Sequence, residues 1–140
     1  MENSKDSLNH HLGILFYAVA MADKKVHEKE HEMLKKKLSE ALTQQGENPE
    51  DLTRNDALAI EGVFSRMQKI NAESSTCFKQ FCDYFDKNPS RFTPRLRKWV
   101  WNIAQAIASS SAQKNKSELI LLGKLRLLFE TQSHPESDNG

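Results

Sequence analysis

Residues 18–38, AVAMADKKVHEKEHEMLKKKL, decide the fold of this chain. An apolar segment ends in Ala22-Asp23, a short polar turn follows, and a charged segment opens with Glu28 and Glu30. Acidic residues in a first turn stabilise a helix through its dipole. The stretch therefore predicts a helical hairpin that holds carboxylates at its mouth.

Helical spacing of apolar residues continues through the rest of the chain. We predict an apolar, central first helix, a second helix on the surface, and a fifth helix that Thr93 caps with Pro94 at its first position. The predicted helices cover residues 5–22, residues 28–42, a third segment starting after residue 55 or 56, residues 75–86, a fifth segment from residue 94, and residues 117–129. No segment alternates with period two, so the fold class is all-α.

The predicted architecture is a single-domain bundle of about six to seven helices over residues 1–131, with residues 132–140 as a flexible tail. A formal net charge of +1 gives no field that would attract nucleic acid or a membrane surface. The apolar stretches are too short to span a bilayer, and residues 1–13 lack the apolar run of a signal peptide. Cys77 and Cys82 fit reduced thiols, so we expect a cytoplasmic protein.

One basic cluster contains aromatic residues, and it comprises Arg91, Arg95, Arg97, Lys98, Trp99 and Trp101. Such a cluster could contact nucleic acid. The alternative is that the tryptophans pack in the core while the cations pair with Glu73, Asp83 or Asp86. The balanced net charge favours the alternative, so we predict no nucleic-acid partner.

The last predicted hairpin repeats features of the first. The first reads A-V-A-M-A-D followed by E-H-E-M-L, and the last reads A-Q-A-I-A-S followed by E-L-I-L-L. Ser109 stands where Asp23 stands, and Glu118 stands roughly where Glu30 stands. The pattern indicates a duplicated helical hairpin.

The join of the first two helices resembles the TerB-like domain of bacterial tellurite-resistance proteins, whose motif there is A-x-A-D-G-x-V/I-x-x-x-E-x-x-x-L. The resemblance covers residues 12–42, and the echo at residues 104–125 is similar to the second hairpin of that family. The matching positions are Ala20, Ala22, Asp23, Val26, Glu30, Leu34 and Leu38.

The resemblance implies a non-enzymatic binding or adaptor domain with protein partners, acting in a bacterial stress or tellurite and metal response. It also implies an acidic, cation-binding patch built from both hairpins. Two departures bear on this expectation. Lys24 replaces the glycine after the aspartate, and a left-handed backbone there would cost ~1 kcal/mol. Ser109-Ser110 replaces the second Asp-Gly, so we expect half of the patch to have lost its charge.

The candidate metal ligands are Asp23, His27, Glu30 and His31. Carboxylates at a tight turn suit Ca²⁺ or Mg²⁺, and an i,i+4 histidine pair would bias the site toward Zn²⁺. A simpler interpretation is that Glu30 caps the second helix by accepting a hydrogen bond from the N–H of residue 27, while Asp23 stabilises the turn. The sequence leaves both interpretations open.

Two other functions remain as alternatives. Residues 27–31, His-Glu-Lys-Glu-His, match the H-x-x-E-H pattern of zinc peptidases, which would make the protein a metal-dependent hydrolase. No further catalytic constellation accompanies that pattern. The second alternative is a purely structural, dimerising bundle, in which Trp99, Trp101 and the last helix form the interface of a homodimer.

Overall fold

The computed structural model of the protein describes residues 4–43, 48–49, 51–110 and 116–132. All regular structure in these residues is helical, which confirms the all-α prediction. The helices are α1 (Ser4–Ala20), α2 (Glu28–Ala41), α3 (Arg54–Lys69), α4 (Ser74–Lys87), α5 (Pro94–Ser110) and α6 (Lys116–Gln132), with a 3₁₀ turn at Pro89–Arg91 between α4 and α5. Of the predicted tail, residue 132 belongs to α6, and residues 133–140 lie outside the described part of the chain.

Helix α1 is the central element, as its wide apolar surface predicts. Its last seven residues, Ile14 to Ala20, are all buried, and it packs against α3, α4, α5 and α6. Two polar contacts hold its C-terminal half in place: Tyr17 donates to the carbonyl of Ala72 at 2.7 Å, and Ser74 donates to the carbonyl of Ala18 at 2.7 Å. These bonds join α1 to the start of α4 and satisfy polar groups inside the bundle.

Gly13 allows α3 to cross α1 closely. A Cβ atom at this position would lie 2.7 Å from the carbonyl oxygen of Ile60 and 2.7 Å from Cβ of Val63. The backbone of α3 cannot move away from such a Cβ atom as easily as the end of a flexible side chain could. The crossing therefore requires glycine for space rather than for an unusual backbone conformation.

Helix caps account for two of the helix starts. Thr93 caps α5 as predicted, accepting from the N–H of Leu96 at 3.2 Å. Helix α3 begins at Arg54, earlier than predicted, because Thr53 and Asp56 form a capping box. Asp56 N–H donates to Thr53 Oγ1 at 3.1 Å, and Thr53 N–H donates to Asp56 Oδ2 at 2.9 Å. These bonds supply the N–H partners that a helix start lacks.

Helix α2 lies on the surface and packs on α5, through a stripe of Leu34, Leu38 and Ala41. On the far side of the bundle, Phe81, Phe85, Phe92 and Phe129 form an aromatic cluster with ring centroids 4.9–6.4 Å apart. This cluster fastens α6 to α4 and to the segment before α5.

The basic cluster differs from the prediction in its partners. Trp99 is buried, as expected, but Arg95 and Arg97 donate to main-chain carbonyls, and in the described part of the chain neither forms an ion pair with the predicted carboxylates. Arg97 donates to Phe92 O at 2.8 Å and to Phe129 O at 3.4 Å, and Arg95 donates to Asn48 O at 3.1 Å. These arginines therefore tie loop and helix ends together.

Cys77 and Cys82 are both free thiols, in agreement with the prediction. Among the helices of the described residues, none combines the length and the apolar character that crossing a membrane requires.

Candidate functional site

The turn between α1 and α2 contains a left-handed residue. The N–H of Lys24 donates to the carbonyl of Met21 at 2.8 Å, and Lys24 itself has φ 73°. Lys24 therefore does adopt the left-handed backbone whose cost the sequence analysis considered. Asp23 Oδ1 accepts from the N–H of Lys25 at 3.3 Å, so Asp23 stabilises the turn, as the simpler interpretation predicted.

Glu30 is the third residue of α2 and is fully buried. Its Oε1 accepts from the N–H of His27 at 2.8 Å, which is the predicted capping bond. Helix capping by Glu30 is thus confirmed. Capping alone does not require burial of the carboxylate, because most residues in this role stay in contact with solvent.

The burial of Glu30 brings it against a second carboxyl group. Glu118 is the third residue of α6, the position that Glu30 holds in α2, and it is also fully buried. The Glu118 carboxyl lies close enough to interact directly with the Glu30 carboxyl and to raise its pKa, so the two form a buried carboxyl pair. Apart from Glu118, no donor among the described residues reaches Glu30 Oε2. Two carboxyl groups can share such a contact only with a proton or a cation between them.

The electrostatics of the pair favour a bound proton near neutral pH. Burial is the largest cause, followed by the hydrogen bond to Glu118 and the negative charges of Glu118 and Asp23, and together these raise the pKa of Glu30 to about 8. The N–H of His27 acts in the opposite direction. Near pH 7 the pair therefore retains one proton, which a cation would have to displace.

The four predicted metal ligands do not converge on one point. His27 Nε2 lies 3.4 Å from Asp23 Oδ2, so these two residues face each other across the turn. His31 turns to α3 instead: its Nε2 lies 2.9 Å from Glu61 Oε2, and its ring packs on Phe64 with centroids 4.8 Å apart.

The H-x-x-E-H interpretation needs both histidines on one metal. His27 has an extended backbone, with φ −88° and ψ 147°, and lies before the first turn of α2. Its ring faces Asp23, whereas the ring of His31 faces Glu61. Across residues 4–43, 48–49, 51–110 and 116–132, no three His, Cys, Asp or Glu side chains are grouped so that they could hold a metal ion.

Glu118 is the residue that sequence reasoning omitted from the site. The signal was present, since the repeat matches Glu118 with Glu30. The loss of the second Asp-Gly suggested instead that the second hairpin contributes less charge. The structure corrects this expectation in two ways: the second hairpin supplies a buried carboxyl group, and Ser109 lies in the last turn of α5 rather than in a turn like that of Asp23.

An open groove of about 970 Å³ lies between the α1–α2 turn, α4 and the first half of α6. Met21, Ala22 and Lys24 line one end of it, next to Asp23, and Ser117 lines it next to Glu118. Phe78 of α4 and Leu121 of α6 form part of its apolar wall. Residues next to Asp23 and Glu118 in the chain therefore line the groove, whereas the two carboxyl groups themselves are fully buried.

Comparison of the chain with protein-family models, curated proteins and solved structures finds no match.

Proposed function

We propose that the chain is a non-enzymatic, TerB-like helical binding domain that takes up a divalent cation between Glu30 and Glu118. The observation that supports this proposal is the burial of both carboxyl groups at the same position of two hairpins, with Asp23 adding negative charge nearby. A buried pair of like-charged groups is costly unless it serves as a proton or cation site.

The donor set favours Mg²⁺ or Ca²⁺ over Zn²⁺. Glu30 and Glu118 offer oxygen, which these hard cations prefer, and Mg²⁺ is commonly held by one or two carboxylates together with water. Tetrahedral Zn²⁺ would need His27 and His31 together, and they face different partners. The remaining oxygen ligands would be water molecules that enter with the cation, because both carboxyl groups are fully buried.

Burial also favours binding over catalysis. Both carboxyl groups are fully shielded by protein, so they are better placed to bind a small ion than to reach a substrate. A bound cation would tie the start of α2 to the start of α6 and thereby stiffen the two hairpins against each other. The resemblance to TerB-like domains suggests protein partners that bind the cation-bound form in a bacterial stress or tellurite-related response.

The test is thermal unfolding of chelator-treated protein with Mg²⁺, Ca²⁺ or Zn²⁺, at pH 6 and at pH 9. We expect Mg²⁺ or Ca²⁺ to raise Tm, and to raise it more at pH 9, because fewer protons then compete for the pair. Glu30→Gln and Glu118→Gln should each abolish the rise. Glu28→Gln is the matched control, because Glu28 is exposed in the same helical turn.

A cation-dependent rise that persists in Glu118→Gln would place the cation elsewhere. Absence of any rise at both pH values would refute the proposal and leave the pair as a proton site.

A further inference from the structure

Helix α6 carries a second apolar stripe on the side opposite the core. Its inner side holds Leu121, Leu122, Leu125 and Phe129, all buried. The centre of its outer side holds Ile120, Gly123 and Leu127, of which Ile120 is 53 % and Leu127 is 64 % exposed. A Cβ atom on Gly123 would contact nothing within 4 Å, so this side is open. Three of the six large apolar side chains that are exposed in the described residues lie on α6, namely Leu119, Ile120 and Leu127. A concentration of exposed apolar side chains on one element is typical of an interface.

The stripe has the spacing of a coiled-coil seam. Lys116, Ile120, Gly123, Leu127 and Glu130 follow one another at alternating intervals of four and three residues. Residues at this heptad spacing face one partner helix along their whole length. The glycine at the middle of the seam would let two backbones approach closely.

The charges at the two ends of the seam identify the partner as a second copy of the same helix. If two α6 helices pack antiparallel with Gly123 opposite Gly123, Lys116 of each copy lies opposite Glu130 of the other. Ile120 then lies one residue away from the position opposite Leu127. In a parallel pair, Lys116 would meet Lys116 and Glu130 would meet Glu130, which is unfavourable. The seam is therefore complementary to itself in one direction only.

We propose that the protein forms an antiparallel homodimer through this seam of α6. Glu130 already bonds Arg126 within its own helix at 2.9 Å, but that exposed pair is a weak surface interaction. Lys116 of the other copy would join or replace this exposed pair. A single helix pair forms an interface at the small end of the size range, so the dimer should be concentration-dependent. The proposal does not depend on cation binding by Glu30 and Glu118.

The experiment is sedimentation equilibrium over a concentration series reaching several hundred micromolar. The wild-type mass should rise from 16.0 kDa toward twice that value. Leu127→Glu should weaken self-association at least tenfold and leave the helical circular dichroism unchanged, because the side chain is exposed. Leu58→Glu is the matched control, since Leu58 is 58 % exposed on α3, and it should associate like wild type.

A charge exchange tests the direction of packing. Lys116→Glu alone and Glu130→Lys alone should each weaken the dimer several-fold, and the double variant should restore it. A monomer at every concentration, or self-association that Leu127→Glu leaves unchanged, would overturn the proposal. Equal loss in Leu58→Glu, or a double variant no better than the single ones, would also overturn it.

Discussion

The two hairpins, α1–α2 and α5–α6, agree at one position and differ just before it. Glu30 and Glu118 are both buried at the third residue of the second helix. The preceding segments are unlike: α1 ends at Ala20 and Asp23 lies in a turn, whereas α5 continues to Ser110. The comparison indicates that the shared carboxyl position, rather than the acidic turn, is what the two halves have in common.

The first helices of the two hairpins, α1 and α5, differ in the size of the side chain at one aligned position. The alignment that matches Ala18 with Ala104 places Gly13 of α1 opposite Trp99 of α5. The backbone of α3 occupies the space next to Gly13, whereas at the aligned position of α5 the large side chain of Trp99 is itself buried. The central position of α1, with helices on all sides, therefore requires a small residue where the more peripheral α5 accepts a large one.

The largest expected difference between the two hairpins is the contribution of Glu30 and of Glu118 to the pH dependence of stability. The pKa of Glu30 is about 8 in the folded state and 4.5 in the unfolded state, so the folded protein binds more protons between these values. Stability should therefore fall as pH rises from about 5 to 8, by on the order of a few kcal/mol, and then level off.

Glu30→Gln should remove this pH dependence and exceed wild type in stability at pH 9, because the neutral amide replaces a buried carboxylate. Glu118→Gln should only reduce it, since burial of Glu30, the main cause of the raised pKa, remains. Urea unfolding in chelator across the pH range measures both effects, with exposed Glu28→Gln as the control. Parallel pH profiles for wild type and Glu30→Gln would contradict the prediction.

The sequence predicted what depends on neighbouring residues. The helical periods, the Thr93 cap and the bond from His27 to Glu30 are all local, and the structure has each of them. Such features follow from the spacing of residues only a few positions apart. The fold class could therefore be predicted from the sequence.

The pairing of the site could not be predicted in the same way. The contact between Glu30 and Glu118 joins residues at opposite ends of the chain, and the bond from His31 to Glu61 joins different helices. Carboxylates in a first helical turn normally face water, so neither burial nor contact is visible in the helical pattern. The repeat was the only signal, and it relates positions without stating that they touch.

The next largest effect is expected at Gly13. Gly13→Ala should destabilise the protein by about 1–3 kcal/mol, because the added Cβ meets the backbone carbonyl of Ile60. Gly62→Ala on α3 is the matched control, since a Cβ there meets nothing within 4 Å, and it should stabilise by up to ~1 kcal/mol. Urea unfolding of both variants would show opposite signs. Equal stabilisation by both would mean that α3 can shift away from α1.

The smallest expected effect tests the turn that only the first hairpin has. Lys24→Gly should stabilise by a few tenths to ~1 kcal/mol, because the strain relieved at φ 73° exceeds the added flexibility of the unfolded chain. Ser110→Gly, at the aligned position of the second hairpin, should instead destabilise, since its backbone is helical and its hydroxyl donates to Ile107 O at 2.7 Å. Denaturant midpoints at unchanged slope measure both changes. If Lys24→Gly also lost stability, the side chain of Lys24 would have to make a contact that outweighs the strain.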